Sequence, residues 1–476
     1  MSKQDTGAQV HKSQVHKCSI DLCFYVFALL CSLICTSAFG DAITFFFTAN
    51  ELGQLKPCGC SGGQLGGLDR RYAVLNGVNP EKRLIFDAGS LVAESTDQDL
   101  IKFNIIVQAY VLLGYDAVNL TEQDIQIARQ AGLLDGLGQL FKCISAKPIN
   151  EAGVDFHAKF TKQFFSGDKK IDVTVGSADV DVRASAIESL FSRQANQSAE
   201  AVPVNILIIN RSDAGTIADI SQTGQVDCII IPAVSDEPTQ ISDANSRTLV
   251  ISEGRLGKYV GKIQIAVSGE SARPTLSFSS IEVNEQIPQA QPLVELYKEY
   301  QRLVKEAGLL ENYPRFVLPE NLEYVGSKSC KLCHDYEYEK WMTNGQVFVP
   351  GIVRQADPNS RHYGALATLK NVGSDYDPEC VICHVIGMRF QSGFVTEEKT
   401  PELKDVGCEN CHGPGSEHLR SLGAIETSGP ISTCTDCHTA EHSANYGANE
   451  KQYFEKIIHW RQPVSRIRVA EPNRNP

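Results

Sequence analysis

Cys-x-x-Cys-His occurs four times in the last third of the chain: Cys330, Cys333 and His334; Cys380, Cys383 and His384; Cys408, Cys411 and His412; Cys434, Cys437 and His438. Two thiols three positions apart, followed at once by an imidazole, are what covalent attachment of a c-type haem requires. The thiols add across the two vinyl groups, and the adjacent imidazole falls beneath the iron and ligates it. Zinc knuckles and redox pairs also use Cys-x-x-Cys, but neither needs a histidine directly after every pair. Four c-type haems with iron are the expected cofactors.

Each iron has a second axial face. The other histidines of this region are His362, His418, His442 and His459. His418 lies six residues past His412, and His442 lies four past His438. Neither passes easily round a porphyrin edge to the far face of its own iron, so as ligands they serve other haems. A surface or propionate-pairing role is the competing reading for each, and it weighs most for His442. Methionine is the rival ligand, but the chain has only three. Met388 is too near His384 and Met342 has no distinctive setting, so bis-histidine ligation should dominate, which favours low reduction potentials.

These motifs need a chain around them. It has 476 residues, enough for two or three domains, and a formal charge of -13, which argues against a nucleic-acid partner. Redox proteins are the expected partners. Residues 1–40 read as a signal peptide or N-terminal anchor. Basic residues precede an apolar run at 22–35, and Thr36-Ser37-Ala38 offers small residues for cleavage. Export to a bacterial periplasm agrees with haem attachment, which happens outside the cytoplasm. Membrane contact is expected only if this segment stays uncleaved.

Residues 41–268 alternate short apolar runs with helical stretches, the pattern of a sheet layered with helices. Strands are predicted at Ile43–Thr48, Leu84–Asp87, Asn205–Ile209, Cys228–Pro232, Thr248–Ile251 and Lys262–Val267, and a helix at Leu100–Leu113. Residues 269–320 read as a connector with one helix, opened by Pro292 and closed by Gly308, whose apolar stripe packs on one of the two domains. Residues 321–463 form a mainly helical, loop-rich haem domain whose core is the macrocycles themselves, and 464–476 are a tail.

The stretch from Tyr324 through Cys330-Lys-Leu-Cys-His334, then Glu379-Cys-Val-Ile-Cys-His-Val-Ile-Gly387, then Gly407-Cys-Glu-Asn-Cys-His-Gly-Pro-Gly-Ser-Glu-His418 resembles the tetrahaem cytochrome c family of nitrifying bacteria. The best-known member of that family takes electrons from hydroxylamine oxidoreductase. The resemblance covers about residues 322–460. It implies that His418 serves the first haem, His362 the third and His459 the fourth, with the second haem, on His384, five-coordinate and open. His442 then needs a role.

The front of the chain carries Gly66-Gly-Leu-Asp-Arg-Arg71 and, much later, Leu256-Gly-Lys-Tyr-Val-Gly261. Both resemble the catalytic domain of exported 5′-nucleotidases, a metallophosphoesterase family whose chemistry needs two metals held by carboxylates and imidazoles. The ligand positions that the resemblance implies hold other residues: Asn50 and Leu52 after the first strand, Ser90 after the second, Leu120 after Asn119, and Pro232-Ala-Val-Ser-Asp236 late in the domain. His157 is the only histidine of the domain. The reading is a metallophosphoesterase-like pseudoenzyme, with no catalytic residues. Cys58 and Cys60 are left as a strained disulfide, a metal pair or ordinary loop cysteines, the glycine-rich loop 59–67 as a turn, and Cys143 and Cys228 as inert core thiols.

The function expected from these readings is electron transfer by an exported multihaem cytochrome whose front domain docks a partner or shields a haem edge. Two alternatives remain: a haem enzyme converting a small nitrogen species at an open second haem, and a haem-linked phosphoesterase.

Overall fold

The computed structural model describes residues 42–57, 63–151, 154–179, 184–192, 201–210, 213–243, 246–267, 274–342, 362–430, 433–443 and 445–459. The export segment, Cys58 and Cys60, and the tail lie outside them. In chain order the strands are β1 (Ile43–Thr48), β2 (Arg83–Asp87), β3 (Ala117–Asn119), β4 (Lys142–Ile144), β5 (Ile149–Glu151), β6 (Val154–Phe156), β7 (Lys159–Ser166), β8 (Lys169–Ala178), β9 (Val202–Ile209), β10 (Cys228–Ile231), β11 (Thr239–Gln240), β12 (Leu249–Ser252), β13 (Tyr259–Ala266) and β14 (Thr275–Glu282).

Two six-stranded sheets, ordered β14-β13-β1-β2-β3-β4 and β11-β12-β10-β9-β8-β7, lie face to face. β1 shows why. Its six residues are all buried, the mark of a strand covered on both faces. Side chains alternate across a strand, so Phe45 and Phe47 point inward with Phe86 to meet Val173, Val175, Ile206, Ile208 and Ile230 of the second sheet. Phe46, Ile85 and Val118 point outward and pack under helices, chiefly Asp97–Leu113. Helices Ala184–Phe191 and Ala214–Thr223 cover the other sheet. The result is four layers, helix on sheet on sheet on helix.

The first sheet continues past residue 268. β14 pairs with β13 from Tyr259↔Glu282 to Ala266↔Thr275, so part of the stretch read as connector belongs to the sheet. The connector helix is Gln291–Glu306, with proline in its first turn. It buries Leu293, Tyr300 and Val304 in the same apolar cluster as the Asp97–Leu113 helix, each worth roughly 1.5–3 kcal/mol.

Beyond it the chain changes character. The haem region is built of short helices joined by turns, among them Ser327–Cys330, Asp335–Met342, Ala365–Val372, Pro378–Val381, Cys408–His412, Ser416–Arg420 and Tyr446–Lys456. Its one apolar cluster among the described residues, with Leu366, Val381, Ile386, Met388 and Phe394, surrounds the second motif.

Candidate haem-binding site

All eight motif cysteines and all eight histidines of the region line one cavity of about 2590 Å³. A pocket for a single drug-sized ligand is roughly 300–1,000 Å³, so this space suits several large groups. The motifs meet in pairs. The side chains of Cys330 and Cys408 lie close enough to interact, bringing the first and third motifs together. Those of Cys383 and Cys437 do the same for the second and fourth.

The histidines also meet in pairs. Ring centroids of His334 and His418 are 6.0 Å apart, those of His362 and His438 5.9 Å, and those of His412 and His459 6.1 Å. Two imidazoles on opposite faces of one metal, with bonds near ~2.0 Å and about 1.2 Å from nitrogen to ring centre, stand roughly 6.3 Å apart. The residues present therefore fit iron held between pairs of imidazoles.

The hydrogen bonds agree. His384, His418 and His459 each place Nδ1 against a backbone carbonyl, of Ala365 at 2.8 Å, Ile425 at 2.7 Å and Ile457 at 2.9 Å. A carbonyl only accepts, so Nδ1 carries the proton and the lone pair sits on Nε2, the usual second-shell arrangement of a ligating histidine. His438 Nδ1 meets Ser443 Oγ at 2.9 Å. Burial holds His384, His412 and His438 below the ordinary imidazole range and pushes His362 down to about 4. Burial thus favours the neutral imidazole that ligation needs.

His362 and His459 are exchanged relative to the resemblance, which assigns them to the third and fourth haems. The structure sets His362 against the fourth-motif His438 and His459 against the third-motif His412. The cause is the Tyr446–Lys456 helix. Tyr446 and Tyr453 lie against the His438 ring, with centroids at 4.7 and 5.7 Å. The helix, rising ~1.5 Å per residue, then carries His459 away from His438. Trp341 fills the junction, its ring 5.5 Å from His362 and 5.4 Å from His459. Met388 is buried in the apolar cluster, and neither it nor Met342 is among the cavity-lining residues.

Three supporting groups carry no sequence signature. Glu409, inside the third motif and 3% exposed, accepts the N–H groups of Val325, Gly326 and Gly415 at 2.8–3.1 Å. Asp377, ahead of the second motif, accepts from Gln98 at 2.8 Å and Gln301 at 3.2 Å. Lys102 pairs with Glu379 at 2.6 Å. Gln98 and Lys102 lie on the Asp97–Leu113 helix, so the front domain grips the loop that carries Cys380. It also reaches the fourth motif: Gln64 Nε2 donates to the Glu441 carbonyl at 2.8 Å, and Lys258 lies 3.7 Å from the Glu441 carboxylate.

The positions that the phosphoesterase resemblance assigns to metal ligands come together at the carboxyl ends of the front-domain strands. Asn50 donates to Gly89 O through its backbone N–H and to Glu253 Oε2 through Nδ2, at 2.8 and 3.0 Å. Leu52 N–H donates to Ser90 O at 3.1 Å. Asn50, Leu52 and Ser90 all hold left-handed backbone, φ 50°, 50° and 63°, which costs of order 1–3 kcal/mol each for such residues. Asn119 Nδ2 donates to Ala88 O and Asn210 Oδ1, and Leu120 is buried. His157 lies apart, bridged to Ile144. Burial pushes the nearby acids up, Asp87 to about 7 and Glu253 to about 8. Among the described residues, no three His, Cys, Asp or Glu side chains are grouped to hold a metal ion.

The two motifs that carried the phosphoesterase resemblance touch here. Arg71, fully buried, pairs with Glu51 at 2.7 Å. Gly257, at φ +59°, lies so close that a Cβ would stand 2.0 Å from Arg71 Nη2.

Comparison with known proteins follows this division. Residues 329–413 match the family model of cytochrome c554 and c-prime. Cytochrome c-554 of Nitrosomonas europaea is 31% identical over 118 residues, which is 24% of this chain and 49% of that protein. The chain thus spans about half the length of the curated relative it matches. Similar solved structures include a calcineurin-like phosphoesterase of Bacillus subtilis, at 14% identity and TM-score 0.41, covering 56% of this chain and 98% of that one. A 5′-nucleotidase precursor of Thermus thermophilus has 14% identity and TM-score 0.43, covering 70% and 68%.

Proposed function

We propose that this chain is an exported c-type cytochrome that moves electrons through four covalently bound haems, with the front domain as a catalytically degenerate scaffold. The observation that carries the reading is the convergence of four Cys-x-x-Cys-His motifs and three cross-paired histidines on one cavity. Bound there, haem iron supplies one-electron exchange between ferric and ferrous states. The chain's own residues do the rest. The eight cysteines offer thioether anchors, and neutral imidazoles lower the reduction potential relative to methionine ligation. The nearness of the first motif to the third and of the second to the fourth would keep neighbouring centres close.

The front domain supports this role by holding Asp377, Glu379 and Glu441, which flank the second and fourth motifs. Partners would be redox proteins, and the acidic charge of -13 suits docking to a basic surface. Among the described residues, no helix is long and apolar enough to cross a membrane. The bacterial periplasm is the proposed location, with attachment to the membrane only through an uncleaved segment 1–40.

Haem content tests the reading. A pyridine haemochrome assay on fully matured protein should give four covalent haems per chain. Two or fewer would overturn it.

A further inference from the structure

Two histidines that face different motifs share one neighbour. His362 faces His438 of the fourth motif with ring planes 90° apart, and His459 faces His412 of the third with planes 87° apart. Trp341 lies between them. Its indole stacks on His362, with centroids 5.5 Å apart and planes within 13°, and meets His459 at 5.4 Å and 66°. Both are favourable aromatic arrangements, one offset-stacked and one edge-to-face.

The indole is itself anchored. Trp341 lies in the last turn of the Asp335–Met342 helix, which begins directly after His334 of the first motif. Its Nε1–H donates to the Val406 carbonyl at 3.1 Å, and the Val406 N–H donates to the His362 carbonyl at 3.1 Å. Val406 thus fixes the tryptophan through one group and the His362 backbone through the other. The His362 imidazole has no such bond of its own. Its Nδ1 is buried and meets no hydrogen-bond partner among the described residues, whereas Nδ1 of His384, His418 and His438 is each held by an oxygen. The orientation of the His362 ring therefore rests on the flat indole face against it, and the edge of His459 meets the same indole.

We propose that Trp341 is a positioning residue for two haems at once, holding the His362 and His459 rings crossed against His438 and His412. This rests on the four-haem reading above. Outer groups that fix ring orientation tune the iron they do not touch, so one side chain sets the ligand field of two centres together. The tuning is visible in a spectrum. Crossed imidazole planes give a strongly anisotropic low-spin ferric signal, and near-parallel planes give a rhombic one.

The test is electron paramagnetic resonance of the oxidised holoprotein, with covalent haem counted in the same sample. The unaltered protein should show two strongly anisotropic low-spin haems, from the third and fourth motifs, and a rhombic low-spin signal from the first, whose His334 and His418 planes are 26° apart. Trp341→Ala should keep four haems, shift both anisotropic signals and leave the rhombic one in place. Trp341→Phe restores a flat face and should return both signals toward their original positions, which a merely structural role does not explain. Trp341→Leu fills the space without a flat face, should show the same paired shift, and serves if the alanine variant matures poorly. Four haems without two anisotropic signals in the unaltered protein would overturn the proposal and leave the four-haem reading intact. So would a variant lacking the flat face in which neither signal moves, only one moves, or all low-spin signals move alike. A count below four in the unaltered protein would instead sink the earlier reading.

Discussion

Lys102 Nζ stands 2.6 Å from both carboxylate oxygens of Glu379. The lysine belongs to a front-domain helix and its side chain is 7% exposed, whereas the glutamate, the residue before Cys380, is 58% exposed toward the haem cavity. Removing the glutamate strands an ammonium in the protein interior, and removing the lysine leaves a carboxylate facing the cavity that the haems would fill.

Glu379→Gln and Lys102→Met should therefore each cost roughly 1–3 kcal/mol. Urea midpoints of the two variants check this. Unchanged midpoints in both would show that the pair does not hold the second-motif loop.

Much of the fold is legible in the sequence where one physical signal dominates. β1 falls on its predicted residues because Ile43–Thr48 is a run of aromatic and β-branched residues only. The Asp97–Leu113 helix extends only one turn earlier than predicted, because Thr96 caps it through Asp99. The β7–β8 hairpin escapes because its lysines and threonines hide the alternation. The two-residue Gly167-Asp168 loop between Ser166 and Lys169 is nonetheless a readable hairpin signal. In the haem region the motifs pick out every cysteine that lines the cavity, but which histidine faces which depends on the Tyr446–Lys456 helix and on Trp341, whose ring lies 5.5 and 5.4 Å from His362 and His459. Glu409 and Lys102 are unreadable for another reason: an acid or a lysine acquires its role from what folds against it.

The front domain should not hydrolyse nucleotides or simple phosphate esters, with or without added divalent metal. Two-metal hydrolysis needs ionised carboxylates and imidazoles, and the positions that the phosphoesterase resemblance assigns to them hold Asn50, Leu52, Ser90 and Leu120. Phosphate-release assays on metal-supplemented holoprotein check this. Metal-dependent turnover lost on mutation of Asp87 or Glu253 would contradict it.

The same buried acids make stability depend on pH. Asp87, which accepts from Thr48, Tyr110 and Gly89, moves from an ordinary 3.8 to about 7, and Glu253 from 4.5 to about 8, both chiefly by burial. Folding raises both values, so the native state keeps protons that the unfolded chain has already lost. The stabilisation is complete below the unfolded values and fades as pH rises through the folded ones. The urea midpoint of the front domain should fall between about pH 5 and 8, and Glu253→Gln should flatten that slope. A midpoint that rises over this window would mean that the two acids are ionised in the fold.

Glu409 carries the last prediction. Its carboxylate gathers Val325 and Gly326, which lead into the Ser327–Cys330 helix of the first motif, and Gly415, which leads into the Ser416–Arg420 helix bearing His418. One side chain thus ties together the segments that hold both imidazoles of the His334–His418 pair. Glu409→Gln keeps the size but replaces one accepting oxygen with an NH₂ group, which faces backbone donors. The loss should be roughly 2–3 kcal/mol. Because His418 is anchored through this knot and His334 is not solely dependent on it, haem attachment should persist while the axial bond weakens. The checks are the urea midpoint and the low-spin signal of the first haem. An unchanged midpoint with an unchanged spectrum would show that the segments are held by other contacts.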